Sequence, residues 1–595
     1  MTNSNVLIPF LASYGPQASS NNMYDEFVAT AAKQTGCTPL DITQPLIDEL
    51  SSQLLSSNPV SVVLTGTAGD GKTYTARKIL EKISDSPVSW TNTQKVFKMT
   101  LNGRELRFIK DLSELKETEK DQQFPDVIAS FTEASDSAQP LFIICVNDGH
   151  LLKFFRDREE GPGKFHGMIS EMLRTDEVDG GDFRLYNMSR RSHKQLVNEI
   201  IDEITTHDGW EACGGCKGLT NNEQLCPIRI NRDLLRGTTN PHFRERVNDV
   251  VRIAASDGLH LSVRQLILLV VNIILGERTN TERVLMTCAS ALKRAREGSY
   301  DKTNPYVNAL GGNLSERKRR RYAAFAVLEQ FSIGQETNNY FDHALLSGGH
   351  SFIEDKYYGE YLFSGVRAVY LSTPAISAPG FISALLTQRQ RLFFSMPSSP
   401  ETVANSKSPW NLSVFKYGDS YLKLADHSVP GSRIPPEIAR KLLLGLNRIM
   451  SGRLTDSNRE LWLIEPSGVF NGHATPLVVA RIGGRQQMAS SGYIEFPDVD
   501  EDGGPPLLRV TFSETRHADL AIRPSLFEYI MRIANGALPA SFSDESHLEI
   551  RRFQLRLLAE VNRDTGAFIL PEEVKNDDGQ LTSRPISILH DEDVW

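Results

Sequence analysis

Cysteine and tryptophan are scarce, six and five in 595 residues. So few thiols exclude the disulfide density with which small secreted domains make up for a thin core. No apolar run approaches the ~18 residues that a membrane-crossing helix needs. The longest, Leu266 to Gly276, is interrupted by Asn272 and reads as a buried helix. The opening residues MTNSNVLIPFLASYG have neither the charged n-region nor the long apolar stretch of an export signal, so the expectation is a cytoplasmic protein without a membrane partner. Positive charge is in deficit as well. With 65 Lys and Arg against 74 Asp and Glu, the net charge is -9, which confines any nucleic-acid contact to a local basic patch. Internal repeats and extended low-complexity tracts are missing too.

What is present is a chain that can bury substantial cores, 40% apolar and 23% charged. A length prior of ~150 residues per domain suggests several domains. Its most informative stretch is Leu64 to Leu80, LTGTAGDGKTYTARKIL. Gly66, Thr67, Ala68, Gly69, Asp70, Gly71, Lys72 and Thr73 satisfy GxxxxGK[ST] at every required position. A β-branched strand, Ser61 to Thr65, feeds the loop, and helical spacing of Ala76, Ile79, Leu80 and Ile83 follows it. Strand, loop and helix in that order are what phosphate binding requires. Glycines let successive N–H groups curl toward an anion, the helix N-terminus adds partial positive charge, Lys72 reaches phosphate oxygens, and the Thr73 hydroxyl faces Mg²⁺. The expected ligands are ATP and Mg²⁺, with Tyr74 as a further contact.

Hydrolysis also needs a metal-facing acid, a polar group near the terminal phosphate and a cation for the charge that develops. VFKMTLNGRELRFIKDLSEL reads as a hairpin, since Asn102-Gly103 favours a type I′ turn, and its second arm ends at Asp111. Leu141 to Val146 reads as a central parallel strand ending in Asn147 and Asp148. Chain order favours Asp111 as the Mg²⁺ acid and Asn147 as the sensor. Asp148 stays open as the acid, because Leu112 and Ser113, not a glutamate, follow Asp111. Arg190, followed by Arg191, and Arg264 at the start of a second helical run compete for the cation.

Cys213, Cys216 and Cys226 lie close in sequence, with His207 upstream. CxxC, a third Cys and a His make a tetrahedral N/S set suited to structural Zn²⁺. Cys37 and Cys288 fall outside this run, and Cys145 lies within an apolar strand. Farther along, Arg317 to Arg321 open a helix with five adjacent cations, which either contact phosphates or form a solvated face. Strand-like runs such as LWLIEP, TPLVVARI and LLRVTF then dominate. The expected organisation is an N-terminal helical segment (1–60), a core (61–240) with a Cys-rich insertion at 207–226, and a helical lid region (241–350). A β-rich domain (351–520) and C-terminal helices with a polar tail (521–595) complete it.

Loop, acid, sensor Asn and lid Arg occur in the order of AAA+ ATPases. The pieces GTAGDGKT, CVNDGHL, CPIRINRDLL, NALGGNLSERKRR and LFEYIMRIANGALP together resemble the ATPases of bacterial anti-phage defence, in particular those of phosphorothioation-dependent restriction systems. The resemblance implies an α/β P-loop NTPase core with a parallel sheet and helical lid, followed by the β-rich domain and C-terminal helices. It further implies an ATP-hydrolysing motor or switch, assembled as a homo- or hetero-oligomer with other defence subunits, among them a nuclease, and acting on foreign DNA. The alternative expectation is a slow-turnover signalling switch that senses a phage protein.

Overall fold

Alternation along β1 (Ser61–Thr65) sends Val62 and Leu64 to one face of a sheet and Val63 to the other, with all five residues buried. The computed structural model that shows this describes residues 5–16, 34–42, 45–84, 94–132, 138–159, 164–175, 177–190, 193–214, 216, 225–279, 283–347, 355–398, 407–429, 433–464, 478–484, 492–499, 504–538, 544–561, 567–575 and 581–589. The other strands are β2 (Val96–Leu101), β3 (Arg104–Ile109), β4 (Leu141–Cys145) and β5 (Phe183–Asn187), in the order β2-β3-β4-β1-β5. β3, β4, β1 and β5 run parallel. At the edge the hairpin read from the sequence sets β2 antiparallel to β3, so the sheet is mixed and its parallel part comprises four strands. Asn102 and Gly103 join the two with φ of 52° and 84°, the paired positive values of a type I′ turn, and a two-residue connection cannot supply a parallel crossover.

Both faces of the sheet are covered, which explains why β1 and β4 read as continuous apolar runs. On one face Val62, Leu64, Ile143 and Cys145 pack with Ala76, Ile79 and Leu80 of the Lys72–Ile83 helix and with Leu50 and Leu54 of the Pro45–Leu54 helix. On the other, Val63, Phe142, Ile144 and Phe183 pack with helices Glu117–Thr132, Asp148–Arg156 and Lys164–Thr175. The result is an α/β core of three layers.

The chain divides into two units, Met1–Val251 with His260–Leu328, and Arg252–Leu259 with Glu329–Trp595. Helices Pro227–Arg236, Val263–Leu275 and Cys288–Glu297 form the helical part of the first, so the region expected to be a lid ends near Leu328. Asn272, which breaks the apolar run of Val263–Leu275, is fully buried. Its amide donates to the Asn308 carbonyl at 2.7 Å and exchanges hydrogen bonds with Asn313. Among the described residues no helix is long and apolar enough to cross a membrane.

In the second unit the β-rich expectation for 351–520 is corrected over its first hundred residues. Helices Glu360–Ser372, Pro374–Ser395, Gly418–Asp426 and Pro436–Ser451 occupy them. Prolines open two of them: Pro374 and Pro436 stand at first helical positions, where a missing N–H costs nothing. The quoted apolar runs are strands, with β6 (Leu461–Ile464), β7 (Val478–Ile482), β8 (Tyr493–Glu495), β9 (Leu507–Thr511) and β10 (His517–Ala521). Helices Pro524–Ala534 and Asp544–Glu560 follow as expected, but the tail is not merely polar chain. β11 (Ala567–Lys575) and β12 (Leu581–Leu589) form a hairpin that extends the sheet β12-β11-β7-β6.

Phe183 is fully buried on β5, and its ring stacks on Phe131 with centroids 4.2 Å apart. Phe183→Ala should cost about 3–5 kcal/mol, since neighbours on a closely packed sheet face cannot collapse into the void. The check is the thermal midpoint of the full chain, with Ile382→Ala, 63% exposed, expected to leave it nearly unchanged.

Candidate functional site

In a parallel sheet, ligands gather outside the carboxyl ends of the strands. The loop after β1 lies there, between the segments that leave its neighbours β4 and β5. Gly66 adopts φ 136°, and a Cβ on it would meet Asp70 Oδ2 and Ser189 Oγ at 3.0 Å. Gly69 adopts φ 95°, and a Cβ there would meet Ser262 Oγ at 3.0 Å and Arg264 Cβ at 3.1 Å. Gly71 ends the loop in the left-handed region, immediately before the 12-residue Lys72–Ile83 helix. That helix presents its unspent N-terminal N–H groups to the same space.

Lys72 Nζ donates to three oxygens: the Gly66 carbonyl at 2.9 Å, the Thr67 carbonyl at 2.7 Å and Asn147 Oδ1 at 2.9 Å. Burial pushes its ammonium below the usual lysine range, against the attraction of the Asp70, Asp111 and Asp148 carboxylates. Asn147 stands at the N-cap of the Asp148–Arg156 helix, yet its side chain makes no capping bond and goes to Lys72. The structure thus brings Lys72 and Asn147 into direct contact from 75 residues apart in sequence.

Asp70 is the most heavily bonded residue of the loop and is almost wholly buried. Its Oδ2 accepts the Thr67 N–H at 2.7 Å, the Thr67 hydroxyl at 3.0 Å and the Ser189 hydroxyl at 2.7 Å. Its Oδ1 meets His260 Nε2 at 2.8 Å. Burial alone would raise the Asp70 carboxyl; the His260 and Ser189 hydrogen bonds, the His260 charge and the Thr67 hydroxyl outweigh it and hold the group below the usual carboxylate range.

Asp111 leaves β3 and caps a single 3₁₀ turn, its Oδ1 accepting the Ser113 N–H at 2.8 Å and the Ser113 hydroxyl at 2.6 Å. Asp148 Oδ1 accepts the Thr65 hydroxyl. Thr73 follows Lys72, half-buried. Of the two arginines, Arg264 touches the loop through its backbone, its N–H donating to the Gly69 carbonyl at 3.2 Å. The exposed Arg190 donates to the Leu173 carbonyl at 2.9 Å, while its neighbour Ser189 reaches the loop; Arg191 lies outside the described residues. The Tyr74 hydroxyl donates to Asp41, which also pairs with Lys78 at 3.0 Å. Exposed Thr67 and Ala68 form the outer lip of the loop.

Ser189 and His260 were invisible to spacing arguments, since they come from other segments, 119 and 190 residues from Asp70. The one sequence signal that pointed toward them was the carboxylate of Asp70 inside a glycine-rich loop.

His207 is engaged by its own neighbours, its Nδ1 lying 2.9 Å from Asp208 Oδ1. Its Nδ1 accepts the Gly209 N–H at 3.0 Å and its Nε2 meets the Thr38 carbonyl at 3.0 Å, so both ring nitrogens have protein partners. Cys213 Sγ instead accepts from Asn5 Nδ2 at 3.1 Å. Among the described residues no three His, Cys, Asp or Glu side chains stand close enough to hold a metal ion as they are, and residues 217–224 of the insertion lie outside the description.

These features define an α/β protein with a glycine-rich loop at the carboxyl edge of its sheet. No family model, no curated protein and no solved structure matches the chain.

Because Asp70 is held below its unfolded range, its charge stabilises the fold at pH above about 3.9, and that contribution is lost as pH falls through the lower folded value. Asp70→Asn turns an NH₂ toward donors and should cost about 1–3 kcal/mol at neutral pH. Thermal midpoints across acid to neutral pH test this: the gap between variant and parent should be full at neutral pH and close on acidification, and a gap independent of pH would refute it.

Proposed function

We propose that the chain binds ATP with Mg²⁺ at Gly66–Thr73 and hydrolyses it, as an AAA+-like P-loop switch or motor. The observation that carries this reading is the Lys72–Asn147 contact at the mouth of the loop, with Asp70, Asp111 and Asp148 acting on the same ammonium. A lysine for phosphate oxygens and an amide for a water sit side by side there, beside carboxylates that suit a divalent cation. Thr73 and Asp111 would hold Mg²⁺. Asp148, bonded to Thr65, is the less available acid. The loop N–H groups and the start of the Lys72–Ile83 helix would take the phosphates. Arg264, whose backbone meets Gly69, is better situated for the terminal phosphate than Arg190, which is engaged at Leu173.

Two observations favour the slow-turnover switch as the second reading. Lys72 is folded onto the carbonyls of its own loop, and the residues after Asp111 are Leu112 and Ser113, with no adjacent carboxylate to activate water. Binding would have to break the Lys72 contacts first. We further propose, from the resemblance of the sequence pieces, that the chain serves bacterial anti-phage restriction with other subunits, one of them a nuclease, in an oligomeric assembly. DNA would meet the exposed Glu316–Arg321 helix, where Arg320 pairs with Glu316 at 2.7 Å and no residue is buried.

Steady-state ATP hydrolysis by the full chain is the test. Lys72→Ala should reduce turnover by at least ~10²-fold, the scale of losing a preorganised charge contact to the transition state. Unchanged turnover would refute the assignment. Stimulation by double-stranded DNA, lost on Arg317→Glu with Arg321→Glu, supports the motor; tight nucleotide retention with DNA-indifferent turnover supports the switch.

A further inference from the structure

Four of the six cysteines come together from three separate places in the chain. We propose that Cys213, Cys216, Cys226 and Cys288 form a structural zinc site, with Cys288 in place of His207 as the fourth ligand. The proposal is independent of the nucleotide reading.

The gathering rests on local structure at each thiol. Cys213 and Cys216 are joined by a turn in which the Cys216 N–H donates to the Cys213 carbonyl at 3.4 Å, and CxxC is a spacing at which two thiolates can reach one metal. Cys226 is the N-cap of the 10-residue Pro227–Arg236 helix, its thiol facing the Ile228 and Arg229 N–H groups without closing a capping bond. Cys288 is the first residue of the 10-residue Cys288–Glu297 helix, behind a Thr287 capping box. These two helices pack on each other. Asn5, itself buried, bridges the cluster: its Nδ2 donates to Cys213 Sγ at 3.1 Å and its backbone N–H faces the Cys288 thiol.

The thiols are close enough to act on one another's ionisation, Cys213 on Cys226 and Cys288, and Cys216 on Cys288. A cation is the natural answer to such a cluster. Two helix N-termini and two Asn5 donors favour thiolate, yet four thiolates without a metal would repel. A divalent ion that prefers four sulfurs in a tetrahedron resolves both, and all four cysteines are free of disulfides. The sulfurs are neighbours but have not converged, so binding would draw the exposed Cys216 inward until Zn–S distances reach about 2.3 Å. His207 is already satisfied by Gly209 and Thr38 and has no need of the ion.

The test is metal content of the full chain purified from zinc-supplemented cells, with chelator-released zinc measured against protein. About one zinc per chain is expected in the parent, in His207→Ala and in Cys37→Ser, and near-background zinc in Cys288→Ser. Background zinc in the parent would overturn the proposal, as would a Cys288→Ser variant that keeps its metal while His207→Ala loses it. Should Cys288→Ser fail to fold, the parent decides alone. Replacing zinc with Co²⁺ gives a thiolate-to-metal absorption, and thiol titration before and after metal removal counts the sulfurs unmasked. Four unmasked thiols support the site; three, with His207 titration altered, overturn it in favour of the Cys₃His set.

Discussion

A buried carboxylate inside a glycine-rich loop is the constraint on which the first unit's architecture turns. Asp70 cannot be left bare: an unpaired charge at that depth would cost several kcal/mol. It is therefore satisfied from three directions, by Thr67 of its own loop, by Ser189 after β5 and by His260 before the Val263–Leu275 helix. Those bonds tie the loop to the end of β5 and to the helical region at once. They also shape the loop, because the Thr67 N–H that bonds Asp70 Oδ2 sets the curl through which the glycines pass.

That arrangement depends in turn on strand order. β1 lies between β4 and β5, so the residues that leave these three strands, Gly66, Asn147 and Ser189, open onto one edge of the sheet. Asp111, leaving β3, stands one strand farther out and still acts on Lys72. A shift in order that moved β4 away from β1 would separate Lys72 from Asn147 whatever the local sequences were.

Much of this was legible from residue patterns. The strand, loop and helix around Gly66, the type I′ hairpin at Asn102-Gly103 and the buried β4 each express a local rule, so spacing and turn chemistry sufficed. The contacts of Asp70 were not legible, because Ser189 and His260 carry no signal of their own until the sheet places them. His207 illustrates the opposite error. Nearness in sequence suggested a ligand, but a histidine can be engaged by backbone partners, as His207 is by Gly209 and Thr38. In the second unit, strand-like runs were taken to extend over residues that form helices, because proline punctuates a chain without saying which element begins after it, as at Pro374 and Pro436.

The charges around Lys72 argue for what the loop can accept. One ammonium, lowered by burial, faces three carboxylates, so a bare polyanion entering there would meet net negative charge. The unspent N–H groups at the helix start offset part of that, but they carry only about half an elementary charge. On the proposed reading, a phosphate arriving with a divalent cation would change that balance, since the cation would answer Asp111 and Asp148 and Lys72 could leave the Gly66 and Thr67 carbonyls. On that reading, a metal–nucleotide complex would therefore suit the loop better than free phosphate.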